Sequence, residues 1–131
     1  NLETVPRLYP GVRPAASFSG SIQMLRRAKT IEFSVFTKSG LMLGLGEERE
    51  EVLQAMVSLR GVGCDFLTLG QYLRPSPAHH PVVRFVTPAE FEEYRRTGLG
   101  MGFRGVASGP LVRSSFNAAG LVEEEKDSRT A

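Results

Sequence analysis

Residues 37–51, TKSGLMLGLGEEREE, decide the fold class of this chain. The apolar run at residues 41–43 (LML) is typical of a buried strand, and the glycines of residues 44–46 (GLG) predict a tight turn after it. Four of the next five residues are glutamates. Acids favour the first turn of a helix because they complement the positive end of its dipole. The stretch therefore predicts a strand, a turn and the start of a helix.

The helix continues to about residue 60 and leads to a second strand. Its predicted apolar stripe consists of Val52, Leu53, Met56 and Leu59. Residues 64–69, CDFLTL, are again an apolar run of strand length. Two strands joined by a helix form a βαβ unit with parallel strands, so we expect an α/β fold. Ligands of such folds bind where the strands end, at their carboxyl edge.

The rest of the chain alternates in the same way. We expect a short strand at residues 1–5, a helix capped by Ser17, Ser19 or Ser21, and an irregular loop at residues 74–81. After that loop, Val82, Val83, Phe85 and Val86 are expected to pack against the core. Residues 87–90, TPAE, predict a helix start, with a capping threonine, proline at the first position and a glutamate three residues on. Residues 118–131 are expected to be a disordered charged tail.

Composition narrows the function classes. The 131 residues are 41% hydrophobic and 23% charged, with a net charge of +2. That charge is too small to predict nucleic-acid binding, and no apolar run reaches the length of a membrane span. The basic residues 26–29 (RRAK) favour a solvated helix face over a phosphate site. The single cysteine, Cys64, excludes an internal disulfide and any site built from several cysteines of this chain.

Several local patterns allow two interpretations. The glycines of residues 44–46 either bring backbone amides to a phosphate or only form a tight turn, and their spacing matches no nucleotide-binding signature. His79 and His80 are adjacent, so they point in different directions and do not form a natural metal pair. Cys64 opens a strand and favours a buried, small apolar role over a nucleophilic one. From the residues alone, no reaction can be named.

A family resemblance extends these predictions. Four ordered stretches resemble lipoyl synthase, a radical S-adenosylmethionine enzyme: NLETVPRLYPGVRP, TKSGLMLGLGE, CDFLTLGQYLRPSPAHHPVVRFVTPAEFEE and MGFRGVASGPLVRSS. Together they cover residues 1–117 in the family's order and spacing. The resemblance implies that this α/β chain is the C-terminal half of a partial (β/α)6 barrel. Because the chain begins at Asn1 with a strand already under way, we expect an N-terminal part of the same enzyme to be missing.

The resemblance also implies a reaction. Lipoyl synthases insert two sulfur atoms, at C6 and C8 of an octanoyl chain, using S-adenosylmethionine and two 4Fe–4S clusters, one of which donates the sulfur. The octanoyl chain is carried by a lipoyl carrier domain or by the glycine-cleavage H protein, which are the expected partners, with no nucleic acid and no membrane. The expected compartment is the cytoplasm of a bacterium or the mitochondrial matrix of a eukaryote. The alternative is a non-catalytic α/β binding module derived from such a barrel.

The site residues implied by the resemblance lie in several stretches. Ser115 matches the family's serine ligand of the auxiliary cluster, and Phe116 replaces the family's usual tyrosine. The expected contacts to S-adenosylmethionine are Asn1, Glu3, Lys38, Gly44, Gly46 and Glu47; those to the substrate or cofactor pocket are Gln71, Tyr72 and Arg113. Neither the CxxxCxxC motif nor the auxiliary-cluster cysteines occur in the chain. We therefore expect this chain alone to bind no cofactor tightly and to be inactive.

Overall fold

A three-stranded parallel sheet forms the centre of the computed structural model, which describes residues 1–32 and 34–113. The strands are β1 (Lys38–Leu43), β2 (Phe66–Gln71) and β3 (Gly105–Gly109), in the order β1-β2-β3. Helix α3 (Arg49–Gly61) connects the first two strands, and α4 (Pro88–Gly100) connects the last two. Two helices precede the sheet, the short α1 (Tyr9–Val12) and α2 (Phe18–Ile31), with a 3-10 turn at Pro6–Leu8 before them. The predicted parallel α/β architecture is confirmed.

The helices begin where the capping signals of the sequence place them. Ser17 caps α2 by accepting a hydrogen bond from the amide of Gly20, and Thr87 caps α4 by accepting one from Glu90. Glu48 and Glu51 form a reciprocal capping box at the start of α3. Because each cap satisfies backbone N–H groups that have no partner inside the helix, it fixes the first residue of the helix.

The core lies between the sheet and its helices. Alternate residues of a strand point to opposite faces, and the leucines of β1 and β2 point toward the helices, as shown by their common cluster with α3 and α4. Fully buried members of this cluster are Leu43, Val52, Met56, Leu59, Leu67, Leu69 and Phe91. Ser108 follows the same pattern, since its hydroxyl donates to the carbonyl of Phe91 in α4 at 2.7 Å. The other face of the sheet carries Gly40, Thr68 and Gly70 beside the larger Met42 and Phe66.

Two expectations about the fold are wrong. Residues 1–5 form no continuous strand; only Glu3 pairs with the sheet, through a single parallel bridge to Leu41. Val83 and Phe85 do not pack against the core, because their side chains are 57% and 69% exposed, and only Val86 of that group is fully buried. The amides of Val83 and Arg84 donate to the carbonyl of Gly44 in the turn after β1, and this contact, which the sequence pattern does not reveal, sets the course of residues 82–86.

Candidate functional site

A cavity of about 160 Å³ lies at the carboxyl edge of the sheet, on the face that points away from the helices. Its floor is formed by residues on this helix-free face of the first two strands, Gly40 and Met42 from β1 and Thr68 and Gly70 from β2. Its remaining walls include two charged residues from opposite ends of the described chain, Glu3 and Arg113, together with Leu41, Gln71, Leu73 and Val112. We call this the carboxyl-edge cavity. It lies where the parallel sheet predicts a ligand site.

Glycine at position 70 allows the chain after β3 to return across this cavity. A Cβ atom built on Gly70 would meet the carbonyl oxygen of Val112 at less than 3.0 Å. The amide of Val112 donates to Gly109 at 3.2 Å, which closes a turn directly after β3. The turn therefore brings Arg113 to the same cavity as Glu3. Sequence reasoning missed Gly40, Thr68 and Gly70 as lining residues. Their small size at alternate positions of two neighbouring strands is the signal that could have identified an open face of the sheet.

Glu3 occupies a strained position beside the cavity. Its φ angle is +71°, in the left-handed region that residues other than glycine seldom adopt. Two backbone hydrogen bonds hold it there: its amide donates to Gly40 at 2.9 Å, and its carbonyl accepts from Met42 at 2.8 Å. Strain of this kind persists only where surrounding contacts enforce it, and it is concentrated at functional sites. Asn1 is exposed, and its carbonyl accepts a hydrogen bond from Arg13.

The glycine turn after β1 binds its own carboxylate. The side chain of Glu47 accepts hydrogen bonds from the amides of Gly44 and Leu45 at 3.0 and 2.9 Å. The carbonyl of Gly44 in turn accepts from Val83 at 2.8 Å, and that of Gly46 from Arg7. Because Glu47 already occupies the amides that would bind an anion, the tight-turn interpretation holds and the phosphate interpretation is wrong. None of these turn residues lines the carboxyl-edge cavity in the described part of the chain.

Lys38 lies far from this turn. It is the first residue of β1, at the amino edge of the sheet, whereas Gly44 follows the last residue of that strand. Six residues of extended chain separate the two by about 20 Å, at roughly 3.3 Å per residue. The structure therefore does not bring Lys38 together with the predicted contacts of the turn, Gly44, Gly46 and Glu47.

Gln71 and Tyr72 support the loop that follows β2. The Gln71 amide nitrogen donates to the carbonyl of Arg84 at 3.1 Å, and its oxygen accepts from the amide of Val86 at 2.9 Å. The Tyr72 hydroxyl donates to the carbonyl of His80 at 2.6 Å. Gln71 borders the carboxyl-edge cavity, but these bonds occupy its polar atoms. Both residues thus act on the loop backbone.

The two histidines of that loop have separate partners. His80 contacts the carbonyl of Leu45 through Nε2 at 2.7 Å, and His79 contacts the hydroxyl of Ser76 through Nδ1 at 2.7 Å. His80 therefore connects the loop after β2 to the turn after β1. The prediction that the two rings point in different directions is consistent with these partners.

Sequence comparison with curated proteins finds relatives of this chain. No family model matches the chain. Curated proteins match it over nearly its whole length. A lipoyl synthase of Caldicellulosiruptor bescii is 56% identical over 127 residues, and one of Alkaliphilus metalliredigens is 48% identical over 130. A lipoyl synthase of Pelobacter propionicus is 61% identical over 118 residues, which is 90% of this chain. The chain matches part of a lipoyl synthase.

The match covers only part of each relative. The chain spans 42% of the C. bescii lipoyl synthase, 45% of the A. metalliredigens protein and 38% of the P. propionicus protein. It therefore contains about two fifths of the length of the lipoyl synthases that it matches. The match to the A. metalliredigens protein covers 99% of this chain, so the carboxyl-edge cavity, the strained Glu3 and the Gly70 crossing all lie within it.

The described residues do not supply the ligands of an iron–sulfur cluster. Within residues 1–32 and 34–113, no group of three or more histidine, cysteine, aspartate or glutamate side chains could hold a metal ion. Cys64 is fully buried, and burial raises the pKa of its thiol to about 11. A thiol must lose its proton to bind iron, so this environment is unsuited to a lipoyl synthase cluster ligand. Ser115 and Phe116 lie outside the described residues. Arg113 is the last described residue and is exposed.

Among the described helices, none is both long and apolar enough to cross a membrane.

Proposed function

We propose that this chain is the C-terminal part of a lipoyl synthase and forms one side of its radical-enzyme barrel. The full enzyme would insert two sulfur atoms, at C6 and C8 of an octanoyl chain, to make the lipoyl group. Identity of 48% to 61% with lipoyl synthases over 90% or more of this chain supports the parent reaction. The parallel sheet with helices on one face supports a half barrel, because a barrel requires such units side by side.

The observation that carries the proposal is the carboxyl-edge cavity. Glu3, the inner face of β1 and β2, and Arg113 converge there, although they come from opposite ends of the described chain. A carboxylate and a guanidinium at one small cavity suit a ligand that carries both charges and hydroxyl groups. S-adenosylmethionine has an ammonium, a carboxylate and ribose hydroxyls, so this lining fits it.

Among the predicted S-adenosylmethionine contacts, the geometry favours Glu3. When bound, this cofactor supplies the 5′-deoxyadenosyl radical that abstracts hydrogen in the family's chemistry. The Glu3 carboxylate, carried by a backbone that two hydrogen bonds fix to β1, would accept hydrogen bonds from the ammonium or from ribose hydroxyls. Arg113 would orient a carboxylate. The Gly44, Gly46 and Glu47 turn would support the cavity from outside by stabilising the end of β1.

The cluster ligands are proposed to come from elsewhere. The only cysteine of the chain is buried in the core, so the cysteines of both clusters would be supplied by a part of the enzyme beyond these 131 residues. Ser115 remains our proposed ligand of the auxiliary cluster, from its place in the family motif. This chain alone is proposed to be inactive, and to act with octanoylated carrier domains or the H protein only within the whole enzyme, in a bacterial cytoplasm or a mitochondrial matrix.

A matched pair of adjacent serines tests the proposal. The full natural protein would be reconstituted anaerobically with iron and sulfide, and lipoyl formation on an octanoylated H protein would be followed by mass spectrometry. We expect Ser115→Ala to lower lipoyl formation at least tenfold and Ser114→Ala to leave it near the wild-type level. Equal activity of the two variants would refute the ligand assignment. A natural protein that binds no iron would instead favour the cluster-free binding module, which the burial of Cys64 also fits.

A further inference from the structure

A second and larger cavity lies at the opposite edge of the sheet. It has a volume of about 730 Å³ and lies beside the amino ends of β2 and β3. Its charged lining residues are three cations, Lys29, Arg60 and Arg104, and one acid, Asp65. We call this the amino-edge cavity. Neither the family motifs nor the proposed reaction assigns it a role.

One carboxylate forms ion pairs with two of the three cations. The side chain of Asp65 is only 7% exposed, and it pairs with Lys29 at 2.7 Å and with Arg104 at 3.2 Å. It also accepts a hydrogen bond from the amide of Thr37 at 2.8 Å. Asp65 therefore fixes the positions of two cationic side chains, and leaves the charge of the lining positive.

Arg60 provides the third positive charge without an acid beside it. Its Nη1 donates to the carbonyl of Cys64 at 2.6 Å, and its guanidinium lies over the ring of Phe103 at 5.6 Å. Its Nε is buried and has no hydrogen-bond partner, and no ion pair involves Arg60 within the described residues. A guanidinium held against an aromatic ring and away from bulk water interacts more strongly with an anion than one at an open surface.

Two glycine turns lie beside these cations. Gly63 and Gly102 have φ angles of +78° and +103°, which favour glycine. A Cβ on Gly63 would lie 3.7 Å from the stem of Lys29, and one on Gly102 would lie 3.5 Å from the guanidinium of Arg60. The turns before β2 and β3 thus border both side chains, whose positions are fixed by the Lys29–Asp65 ion pair and by the hydrogen bond from Arg60 to the Cys64 carbonyl.

We propose that the amino-edge cavity binds a phosphate group. Guanidinium groups match phosphate oxygens in geometry, and a phosphate monoester carries about two negative charges at neutral pH, which suits a lining with more cations than acids. The ligand is inorganic phosphate or the phosphate of a small metabolite. The site is separate from the carboxyl-edge cavity, because a strand of five or six residues, about 17 Å or more, lies between the two edges.

Calorimetry on the full natural protein tests this site. Inorganic phosphate and glycerol 3-phosphate would each be titrated at constant ionic strength, with chloride as the balancing anion. We expect saturable binding at one site per chain, about tenfold weaker in Arg60→Gln. Arg27→Gln is the matched control, because Arg27 is exposed on the same helix as Lys29 but does not line the cavity. Tighter binding of glycerol 3-phosphate would identify a metabolite as the ligand; tighter binding of inorganic phosphate would identify the free ion.

Each remaining outcome decides against the site or for it. No saturable binding by the folded wild-type protein overturns the proposal, and so does equal weakening by Arg60→Gln and Arg27→Gln, which indicates unspecific attraction. If Arg60→Gln does not fold, Arg60→Lys replaces it, since lysine keeps the charge but lacks the paired donors. We then expect weaker but measurable binding, and unchanged affinity in Arg60→Lys counts against a role for Arg60. The result is independent of lipoyl formation.

Discussion

A Cβ atom on Gly70 would collide with the carbonyl oxygen of Val112, forty-two residues later in the chain. This contact fixes how closely the segment after β3 crosses the face of the sheet that points away from the helices. We expect Gly70→Ala to push that segment away from the carboxyl-edge cavity, to destabilise the fold by about 2 kcal/mol and to lower lipoyl formation. Chemical denaturation and the mass-spectrometric assay of the full protein measure the two effects.

Gly100→Ala is the matched control for Gly70→Ala. A Cβ on Gly100 meets nothing within 4 Å, and the residue ends helix α4. Alanine there should be neutral or stabilising by a few tenths of a kcal/mol, since it restricts the unfolded chain. Wild-type stability and activity in Gly70→Ala would contradict the proposed crossing.

The glycine turn after β1 offers a comparison between two nearby positions. Both Gly44 and Gly46 have φ angles in the left-handed region, +95° and +109°. A Cβ on Gly44 would also collide with the carbonyl of Arg84 and the amide of Gln71, whereas one on Gly46 would only touch Val83 at 3.5 Å. We expect Gly46→Ala to cost about 1 kcal/mol from backbone strain alone, and Gly44→Ala to cost at least 1 kcal/mol more. Equal denaturation midpoints would show that the loop after β2 adapts freely.

Substitutions of Glu3 should affect the free energy of unfolding and cofactor binding in different ways. Replacing it by glycine removes the left-handed strain, so Glu3→Gly should raise the free energy of unfolding by about 1 kcal/mol. If the carboxylate contacts S-adenosylmethionine, the same change should weaken cofactor binding at least tenfold. Glu3→Gln keeps the strain and loses only the charge, so it should weaken binding without the gain in stability. A Glu3→Gly protein that binds the cofactor as well as wild type would remove Glu3 from the site.

Asp65 predicts a specific pH dependence. Burial opposes its ionisation, but hydrogen bonds and charge from Lys29, the Thr37 amide and Arg104 outweigh this and hold the pKa of Asp65 below its ordinary value of 3.8. Its contribution to stability is therefore complete above the unfolded pKa of about 3.9 and is lost as the pH falls through the lower folded pKa. We expect Asp65→Asn to cost about 3 kcal/mol at pH 7, and this difference from wild type to shrink below about pH 4. A difference that stays constant from pH 7 to pH 3 would rule out the charge as its source.

The Cys64 thiol should neither react with thiol reagents nor bind iron in the folded protein. With its pKa raised to about 11 by burial, about one thiol in a thousand is ionised at pH 8, and the side chain is fully buried. A thiol reagent should leave Cys64 unmodified in folded protein and react with it fully in guanidinium chloride. Cys64→Ala should also leave the iron content of the reconstituted full protein unchanged. Loss of iron in that variant would make Cys64 a ligand.

Sequence reasoning found the parts of the fold that depend on neighbouring residues. The cap at Thr87, a serine cap for α2 among three candidates, the acids at the start of α3 and the parallel arrangement of β1 and β2 all follow from patterns within a few residues. Such signals work because a helix end must satisfy its amides locally, whatever the remaining chain does.

The features that sequence reasoning missed depend on distant contacts. Nothing near Gly70 indicates that Val112 will cross it, and nothing in residues 82–86 shows that Val83 bonds to the turn after β1. The acids after that turn predicted a helix start, but only the three-dimensional structure shows that the Glu47 side chain folds back onto the amides of Gly44 and Leu45. The carboxyl edge as the place of the cavity follows from the fold class; which residues reach it does not.

The strand order β1-β2-β3 matches the order in which the strands leave the ribosome. Among the three described strands, none has to be inserted between two that have already paired, so each new βα unit can dock onto an existing edge during synthesis. Contacts between strands adjacent in sequence also keep the loops that must close during folding short, which favours rapid folding. The sheet can thus be assembled in one direction, and β2, which pairs with both neighbours, completes its hydrogen bonding only when β3 arrives.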